Sequence, residues 1–206
     1  MKGKLISIEG VDGCGKSTHI PFIKKFLEDQ GIEVLVSREP GGTLIGEEIR
    51  KILLSSSDKM FPITQILLFA ASRVEHIHRV IIPALNNGIF VITDRYYDSN
   101  VAYQGGGFGL FRDVETINHV CGNLNVIPDM TLLFDLDIII AKNRMSGIEL
   151  DSFELMDEKF HQKVRNSYLE ISKHQNRFKV IDSNLDIPTI QEIIKIHLKE
   201  LFNDTY

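Results

Sequence analysis

The chain has 206 residues, of which 43% are hydrophobic and 25% charged, so it is long enough for one sizeable domain with a buried core. A net charge of −5 argues against a broad nucleic-acid-binding face, which needs a basic surface, so we expect no nucleic-acid partner. The two cysteines, Cys14 and Cys121, make a disulfide implausible and predict a reducing, cytoplasmic compartment. The short apolar stretch near the N-terminus predicts neither a signal peptide nor a membrane span.

Short apolar runs alternate with helical patterns along the chain, which predicts an α/β fold with a five-stranded parallel sheet flanked by helices, in one domain over residues 1–206. The strands are predicted at Leu5 to Ile8, Glu33 to Ser37, Phe90 to Thr93, Thr131 to Phe134 and Lys179 to Ile181. The helices are predicted at Lys16 to Gln30, Ile45 to Leu54, Ile63 to Leu85, Val114 to Cys121, Ile138 to Met145, Phe153 to His174 and Pro188 to Phe202. Ligands of such sheets bind beyond the carboxyl ends of the strands, so the residues that follow each strand are candidates for function.

The first predicted strand is followed by GVDGCGKS, from Gly10 to Ser17, which has the spacing of a phosphate-binding loop. Glycines let successive N–H groups point at one anion, Lys16 adds a movable positive charge, and Ser17 offers a hydroxyl to Mg²⁺. We therefore expect the chain to bind a nucleoside triphosphate. The residues predicted to surround its phosphates are Gly10, Val11, Asp12, Gly13, Cys14, Gly15, Lys16, Ser17 and Thr18.

Polar residues follow the second and third predicted strands, at the sheet edge where the loop also lies. Arg38 comes after the second strand, and Asp94 and Arg95 follow the third. An aspartate beside a phosphate-binding loop is a candidate for the metal side of the site, so Asp94 joins Ser17 as a predicted Mg²⁺ residue. Two arginines at adjacent strand ends suit a clamp for a second phosphate group, although surface ion pairing would also account for them.

Phe69 and Arg73 are four residues apart and therefore share one face of a predicted helix. An aromatic ring and a forked donor at one place can stack on a base and bind its carbonyl oxygen. The alternative is a core phenylalanine beside a solvated arginine, and the spacing alone does not separate the two.

Several runs of residues together resemble the thymidylate kinase family, in sequence and in order: REPGGT from Arg38 to Thr43, LLFAASR from Leu67 to Arg73, DRYYDSNVAYQ from Asp94 to Gln104, and PDMT from Pro128 to Thr131. The resemblance extends from Leu5 to about Tyr168. This family transfers the γ-phosphate of ATP to dTMP, giving dTDP, and requires Mg²⁺. The resemblance therefore implies a P-loop NTPase-type fold with a short mobile lid at about residues 143–153, ATP and dTMP as substrates, and a homodimer.

The resemblance also implies roles for individual residues. Arg38 and Arg95 would hold the dTMP phosphate, Phe69 would stack on thymine, and Arg73 would bind its exocyclic oxygen. Asp12 would meet the sugar 3′-hydroxyl. The segment lining the base and the deoxyribose would comprise Ser99, Asn100, Tyr103 and Gln104. No general base is needed, because the acceptor oxygen is already ionised at neutral pH, and catalysis would come from alignment and charge neutralisation.

The lid departs from the family pattern. The variable positions of the loop carry no basic residue, which resembles a subclass whose lid arginine reaches over the transferring phosphate, yet Ser152 stands where that subclass often has the arginine. Arg144 is the nearest forked donor and is predicted to take this role, the alternative being a charge that only caps its helix. The predicted catalytic residues are Lys16, Asp94, Arg95 and Arg144.

Other functions stay open at this point. A kinase for another nucleoside monophosphate or for a deoxynucleoside would share the loop. A GTPase-type switch is disfavoured because the sequence has no Asn-Lys-x-Asp segment, and a protein that binds nucleotide without transferring phosphate is disfavoured because Lys16, Ser17, Asp94 and Arg95 are all present. After the last strand, the triplet from Asp182 to Asn184 either contacts adenine or forms a turn.

Overall fold

A computed structural model describes residues 2–55, 60–121, 126–147 and 151–203, and within them the predicted five-stranded parallel sheet is confirmed. The strand order is β2-β3-β1-β4-β5, and each neighbouring pair is parallel. The strands are β1 (Leu5–Glu9), β2 (Val34–Arg38), β3 (Phe90–Asp94), β4 (Met130–Asp135) and β5 (Phe178–Asp182).

Helices flank the sheet and connect its strands, as expected for parallel pairing. The α-helices are α1 (Lys16–Asp29), α2 (Leu44–Leu54), α3 (Pro62–His76), α4 (Ile82–Asn86), α5 (Tyr97–Asn100), α6 (Phe111–Val120), α7 (Ile138–Arg144), α8 (Glu158–Lys173) and α9 (Ile187–Asn203). Two π-helical segments, Ile77–Ile81 and Val101–Gly107, continue α3 and α5 respectively.

The helix predicted from Ile63 to Leu85 is not one regular α-helix, because the π-helical segment Ile77–Ile81 separates α3 from α4. Pro83 lies just beyond this segment and has no N–H to donate. A proline inside a helix removes one i→i−4 hydrogen bond and clashes with the preceding turn, so the wider π geometry there has a local cause.

The helix predicted from Phe153 begins five residues later, at Glu158. Asp157 is its N-cap, and the Asp157 side chain accepts a hydrogen bond from the Phe160 N–H at 2.8 Å. Upstream, the Asp151 carboxylate accepts from the N–H groups of Phe153 and Glu154 and closes a separate turn. Each of these two aspartates thus bonds the backbone that follows it, and the predicted helix is split into a turn after Asp151 and a helix after Asp157.

The helical stretch that follows Asp94 was not predicted, because the run Gly105-Gly106-Gly107 is unfavourable in a helix. These glycines allow α8 to approach closely. A Cβ atom at Gly106 would lie 1.8 Å from Ser167 Oγ, and one at Gly107 would lie 2.4 Å from the Phe160 ring. Packing against α8 therefore stabilises a helix that its own sequence disfavours.

The core lies on both faces of the sheet, whose central strands β1, β3 and β4 are almost entirely buried. Because all strands run the same way, their carboxyl ends meet at one edge. That edge carries charged side chains from each strand: Glu9, Arg38, Asp94, Asp135 and Asp182. Among the described helices, none combines the length and the apolar composition that crossing a lipid bilayer requires.

Candidate active site

The loop after β1 has the backbone that a phosphate cradle needs. Gly10, Gly13 and Gly15 have φ values of 138°, 77° and 101°, in the region that L side chains rarely adopt. Space is also short, since a Cβ atom would lie 2.4 Å from the Phe134 carbonyl oxygen at Gly10 and 2.6 Å from the Ala141 carbonyl oxygen at Gly13. The loop conformation therefore depends on these glycines.

Lys16 is buried at the start of α1 and lies back across the loop. Its Nζ donates to the carbonyl oxygens of Gly10 and Val11, both at 3.1 Å, and lies 3.8 Å from the Asp12 carboxylate. A cavity of about 570 Å³, here called the loop pocket, lies over this segment. Its walls include Gly13, Lys16, Ser17, Thr18, Asp94, Arg144 and Ser183.

The two residues predicted for Mg²⁺ lie close to the loop. Ser17 and Asp94 both line the loop pocket. Asp94 Oδ1 is buried and has no hydrogen-bond partner among the described residues. A buried carboxylate oxygen without a donor is costly, and a divalent cation is the kind of group that would satisfy it. The two side chains therefore fit a Mg²⁺ ion.

A second cavity, of about 190 Å³ and here called the arginine pocket, opens beside the first. Four residues line both pockets: Asp12, Lys16, Asp94 and Glu154. The other walls include Arg38, Arg50, Phe69, Arg73, Arg95, Ser99, Asn100, Tyr103, Gln104 and Phe153. All the residues that the sequence predicted for dTMP therefore surround one cavity, next to the loop.

Arg95 is held in an unusual backbone conformation in the wall of the arginine pocket, directly after Asp94. Its φ of 69° makes it the one non-glycine residue with positive φ in the described part of the chain. The Arg95 N–H donates to the Ile8 carbonyl oxygen at 2.9 Å, and Thr93 Oγ1 donates to the Arg95 carbonyl oxygen at 2.8 Å. These bonds turn the side chain toward the loop.

The Arg95 guanidinium contacts the loop through Asp12. Arg95 Nη2 donates to Asp12 Oδ1 at 2.5 Å, and Tyr103 donates from its hydroxyl to Asp12 Oδ2 at 2.8 Å. Burial disfavours the charged form of Asp12, but the charges of Arg95 and Lys16 outweigh it and hold the pKa of Asp12 well below its usual range. Asp12 therefore stays ionised and joins the two cations of the site.

Arg73 forms the other end of the arginine pocket and is almost fully buried. Its Nε donates to Glu39 Oε2 at 2.7 Å, and its Nη2 donates to Asn100 Oδ1 at 2.5 Å. Glu39 Oε1 also bonds His76 Nδ1, at 2.9 Å. The alternative of a solvated Arg73 is therefore wrong, because a buried carboxylate fixes this side chain in the pocket wall.

Aromatic rings form the side of the arginine pocket between the two arginines. Phe69 lies 5.8 Å from Phe153, centroid to centroid, and Tyr103 makes an edge contact with Phe153 at 6.3 Å. Asn100 Nδ2 donates to Gln104 Oε1 at 2.9 Å, which orders two amides near Arg73. Flat rings with nearby amides and a forked donor suit a pyrimidine base.

Arg38 lies at the rim of the pocket, with its side chain 53% exposed. Its Nη2 donates to Glu47 Oε2 at 2.9 Å, so the predicted clamp partner of Arg95 is held by an ion pair. Arg50 of α2 also reaches the pocket, and its Nη1 donates to the Pro40 carbonyl oxygen at 3.0 Å. Burial and the charge of Arg38 lower the pKa of Arg50.

Arg144 lines the loop pocket, and its Nη2 donates to the Ser183 carbonyl oxygen at 3.0 Å. Asp182 Oδ1 accepts from the N–H and the side-chain amide of Asn184, so the triplet from Asp182 to Asn184 forms a turn at the end of β5. Residues 148–150 of the predicted lid lie outside the described residues. Ser152, which occupies the expected arginine position, donates to the Leu53 carbonyl oxygen at 3.1 Å.

The residues of the site that the sequence did not predict include Glu9, Glu39, Arg50, Phe153, Glu154 and Tyr168. Glu9 and Glu39 could have been found, since both are carboxylates at a strand end, the criterion that identified Asp94. Arg50 and Tyr168 lie within helices, where nothing in the local pattern separates them from surface or core residues.

Known proteins resemble this chain over nearly its whole length. The family model described as thymidylate kinase matches residues 8–194. A thymidylate kinase of Nitrosomonas europaea is 37% identical over 205 residues, covering 98% of this chain and 95% of the relative. The thymidylate kinase of Nitrosospira multiformis is 40% identical, covering 98% of this chain and all of the relative. That of Thermoanaerobacter sp. is also 40% identical, covering 96% of this chain and 95% of the relative. The chain belongs to the thymidylate kinase family.

Proposed function

We propose that this member of the family catalyses the transfer of the γ-phosphate of ATP to dTMP, giving ADP and dTDP. The observation that carries the proposal is the shared wall of the two pockets, formed by Asp12, Lys16, Asp94 and Glu154. A phosphate chain held by the loop and a monophosphate held by Arg95 would meet at this wall. In-line transfer between two nucleotides needs such a junction.

The loop pocket is the proposed ATP side. The glycine-rich backbone would surround the phosphates with N–H groups, and Lys16 would leave the carbonyl oxygens of Gly10 and Val11 to bind them. Ser17 would hold Mg²⁺ together with Asp94 Oδ1, which accepts no hydrogen bond from the described part of the chain. When bound, Mg²⁺ neutralises negative charge on the phosphate oxygens.

The arginine pocket is the proposed dTMP side. Arg95, with Arg38 and the newly found Arg50 at the rim, would bind the phosphate. Phe69 would stack on thymine while Arg73 donates to its carbonyl oxygen. The sugar would lie near Asp12, which accepts from the Tyr103 hydroxyl, and the Tyr103 ring would exclude a 2′-hydroxyl.

No general base is proposed, because the attacking phosphate oxygen of dTMP is already ionised at neutral pH. The chain instead gathers two anions that repel one another. Lys16 and Arg95 bring positive charge to the junction, and Asp12 keeps both cations oriented. Arg144 is proposed to add charge over the transferred group when the lid closes.

We further propose that the protein is a cytoplasmic homodimer whose ligands are nucleotides. Apolar side chains on neighbouring helices support the dimer, since Leu44 of α2, Leu67 of α3 and Phe111 of α6 are 91%, 54% and 50% exposed, and α3 packs against both α2 and α6. Sedimentation of the purified chain tests this, and a monomer at micromolar concentration would contradict it.

The function is tested by ADP release from the purified chain with ATP, Mg²⁺ and one acceptor at a time: dTMP, dCMP, AMP or thymidine. We expect dTMP to be used best, and the Lys16→Ala variant, purified in parallel, controls for contaminating kinases. A preference for thymidine would identify a deoxynucleoside kinase. ATP binding without transfer to any acceptor would identify a nucleotide-binding protein instead.

A further inference from the structure

Glu9 is a fully buried carboxylate at the end of β1 that the proposed reaction does not use. Its Oε1 accepts from the Tyr96 N–H at 2.8 Å. Its Oε2 accepts from Ser99 Oγ at 2.6 Å and from the Tyr168 hydroxyl at 2.8 Å. The two hydroxyl oxygens are themselves 2.8 Å apart, so Glu9 Oε2, Ser99 Oγ and Tyr168 Oη form a triangle, here called the hydroxyl triangle.

The hydroxyl triangle is the support on which Arg95 rests. Arg95 Nη1 donates to Ser99 Oγ and to Tyr168 Oη, both at 3.2 Å, and to the Gly10 carbonyl oxygen at 3.0 Å. Each hydroxyl has a single hydrogen. An ionised Glu9 only accepts hydrogen bonds, so both hydrogens stay inside the triangle and both oxygens face Arg95 as acceptors.

We propose that Glu9 is a positioning residue for Arg95, because it keeps Ser99 and Tyr168 as acceptors for Arg95 Nη1 and so fixes the guanidinium that binds the acceptor phosphate. The inference rests on the proposed function for the identity of that phosphate. The network itself rests on contacts within the chain and does not depend on a ligand.

The substitution Glu9→Gln distinguishes positioning from space filling, because glutamine keeps the shape of the side chain but replaces a carboxylate oxygen by an NH₂ group. The new NH₂ group either faces the Tyr96 N–H, setting donor against donor, or donates into the hydroxyl triangle. In the second case it occupies lone pairs that Arg95 Nη1 uses. Both arrangements also remove a negative charge that lies one hydroxyl away from Arg95.

The protonation of Glu9 provides a second readout. Burial and the charge of Asp98 raise the pKa of Glu9 to about 7. The ionised form is then present above that pH and is lost as the pH falls through it. The titratable groups that face Glu9 are Arg95 after β3, Tyr97 and Asp98 of α5, Tyr168 of α8 and Arg177 before β5.

The kinetic test compares the wild type with Glu9→Gln, using the full chain. We expect kcat/KM for dTMP to fall by about 10- to 100-fold while the KM for ATP changes by less than about twofold. In the wild type, kcat/KM for dTMP should fall as the pH drops below about 7. The variant should keep only the dependence that comes from the dTMP phosphate, whose second pKa is about 6.

Tyr168→Phe gives a second variant that keeps Glu9 and removes one hydroxyl of the triangle. If Glu9 acts through the triangle, the double variant should lose less than the product of the two single effects. The proposal would be overturned if the double variant showed the full product of the two single effects. It would also be overturned if Glu9→Gln kept the wild-type dTMP kinetics and pH profile. An equal loss of kcat/KM for ATP and for dTMP in Glu9→Gln would also overturn it, because such a loss indicates a general structural role.

A substrate-free measurement on the wild type keeps the proposal testable should Glu9→Gln fail to fold. The ¹³Cδ signal of Glu9 and the Nε–Hε signal of Arg95 are followed by NMR as the pH is lowered. We expect both to change with one midpoint, while Arg165, which pairs with Asp135, does not follow it. An Arg95 signal that ignores the titration of Glu9 overturns the proposal. Lack of dTMP kinase activity would count against the proposed function alone.

Discussion

The loop pocket and the arginine pocket are built by different means. One wall of the loop pocket is made by consecutive residues whose glycines set the backbone, with a lysine and a serine at fixed positions. The arginine pocket is made by side chains from distant parts of the chain. Glu9 and Tyr168, for example, are 159 positions apart and bond directly. A backbone cradle tolerates little change in conformation, whereas a side-chain network is sensitive to single hydrogen bonds.

The largest expected effect belongs to the loop pocket. Lys16→Ala removes the one side-chain cation that the loop supplies, so we expect turnover to fall by about 10³-fold or more with the fold intact. Steady-state kinetics and thermal unfolding measure the two quantities. Lys25→Ala is the matched control, since Lys25 of the same helix pairs only with the exposed Asp29 in the described part of the chain. Activity within a few-fold of wild type would remove Lys16 from the mechanism.

Arg95→Ala tests the arginine pocket at the end nearest the loop. One arm of the phosphate clamp is lost and Asp12 loses its closest cation. We expect kcat/KM for dTMP to fall by about 10²-fold, with a much smaller change in the KM for ATP. Arg79→Ala, which alters an exposed arginine, is the control. A variant affected only in its use of ATP would show that the donor and acceptor sides are assigned the wrong way round.

The sequence predicted the loop pocket well because its determinants are local. Strand, glycine spacing, lysine and helix start all lie between Leu5 and Lys16, and each has its own physical reason. The strands of the sheet were predicted to within about a residue at each end for a similar reason. Continuous apolar runs mark buried parallel strands.

The arginine pocket was predicted only in part. Arg73 and Phe69 were found by helical spacing, but that spacing also fits a solvated arginine, and only the contact with Glu39 decides between the two. The helix that carries Ser99 and Tyr103 was missed because its glycines are favourable only once α8 packs on them. Long-range packing of this kind has no signature in a local window of sequence.

Arg73→Ala tests the base end of the arginine pocket, where a smaller effect is expected. A cytosine base presents an amino group where thymine has a carbonyl oxygen, so a donor at that position is left unpaired with dCMP. The preference for dTMP should shrink by the roughly 1–3 kcal/mol that such a mismatch costs. Competition assays with both nucleotides measure it. Equal use of dTMP and dCMP by the wild type would contradict the proposed recognition.

Arg144→Ala has the smallest expected effect and tests whether the loop pocket also needs a cation from outside the loop. The prediction from the sequence is that Arg144 screens charge on the transferred phosphoryl group when the lid closes. Because this contact would form mainly in the closed state, its loss should lower kcat by about 3- to 10-fold and weaken dTMP binding less. Lys142→Ala alters a solvated charge on the same helix and serves as the control.

If instead only the KM for ATP rises in Arg144→Ala, the bond from Arg144 to the Ser183 carbonyl oxygen is the one that matters, and the arginine helps to bind ATP at the end of β5. An unchanged kcat and KM would mean that Lys16, Arg38 and Arg95 suffice to screen the charge.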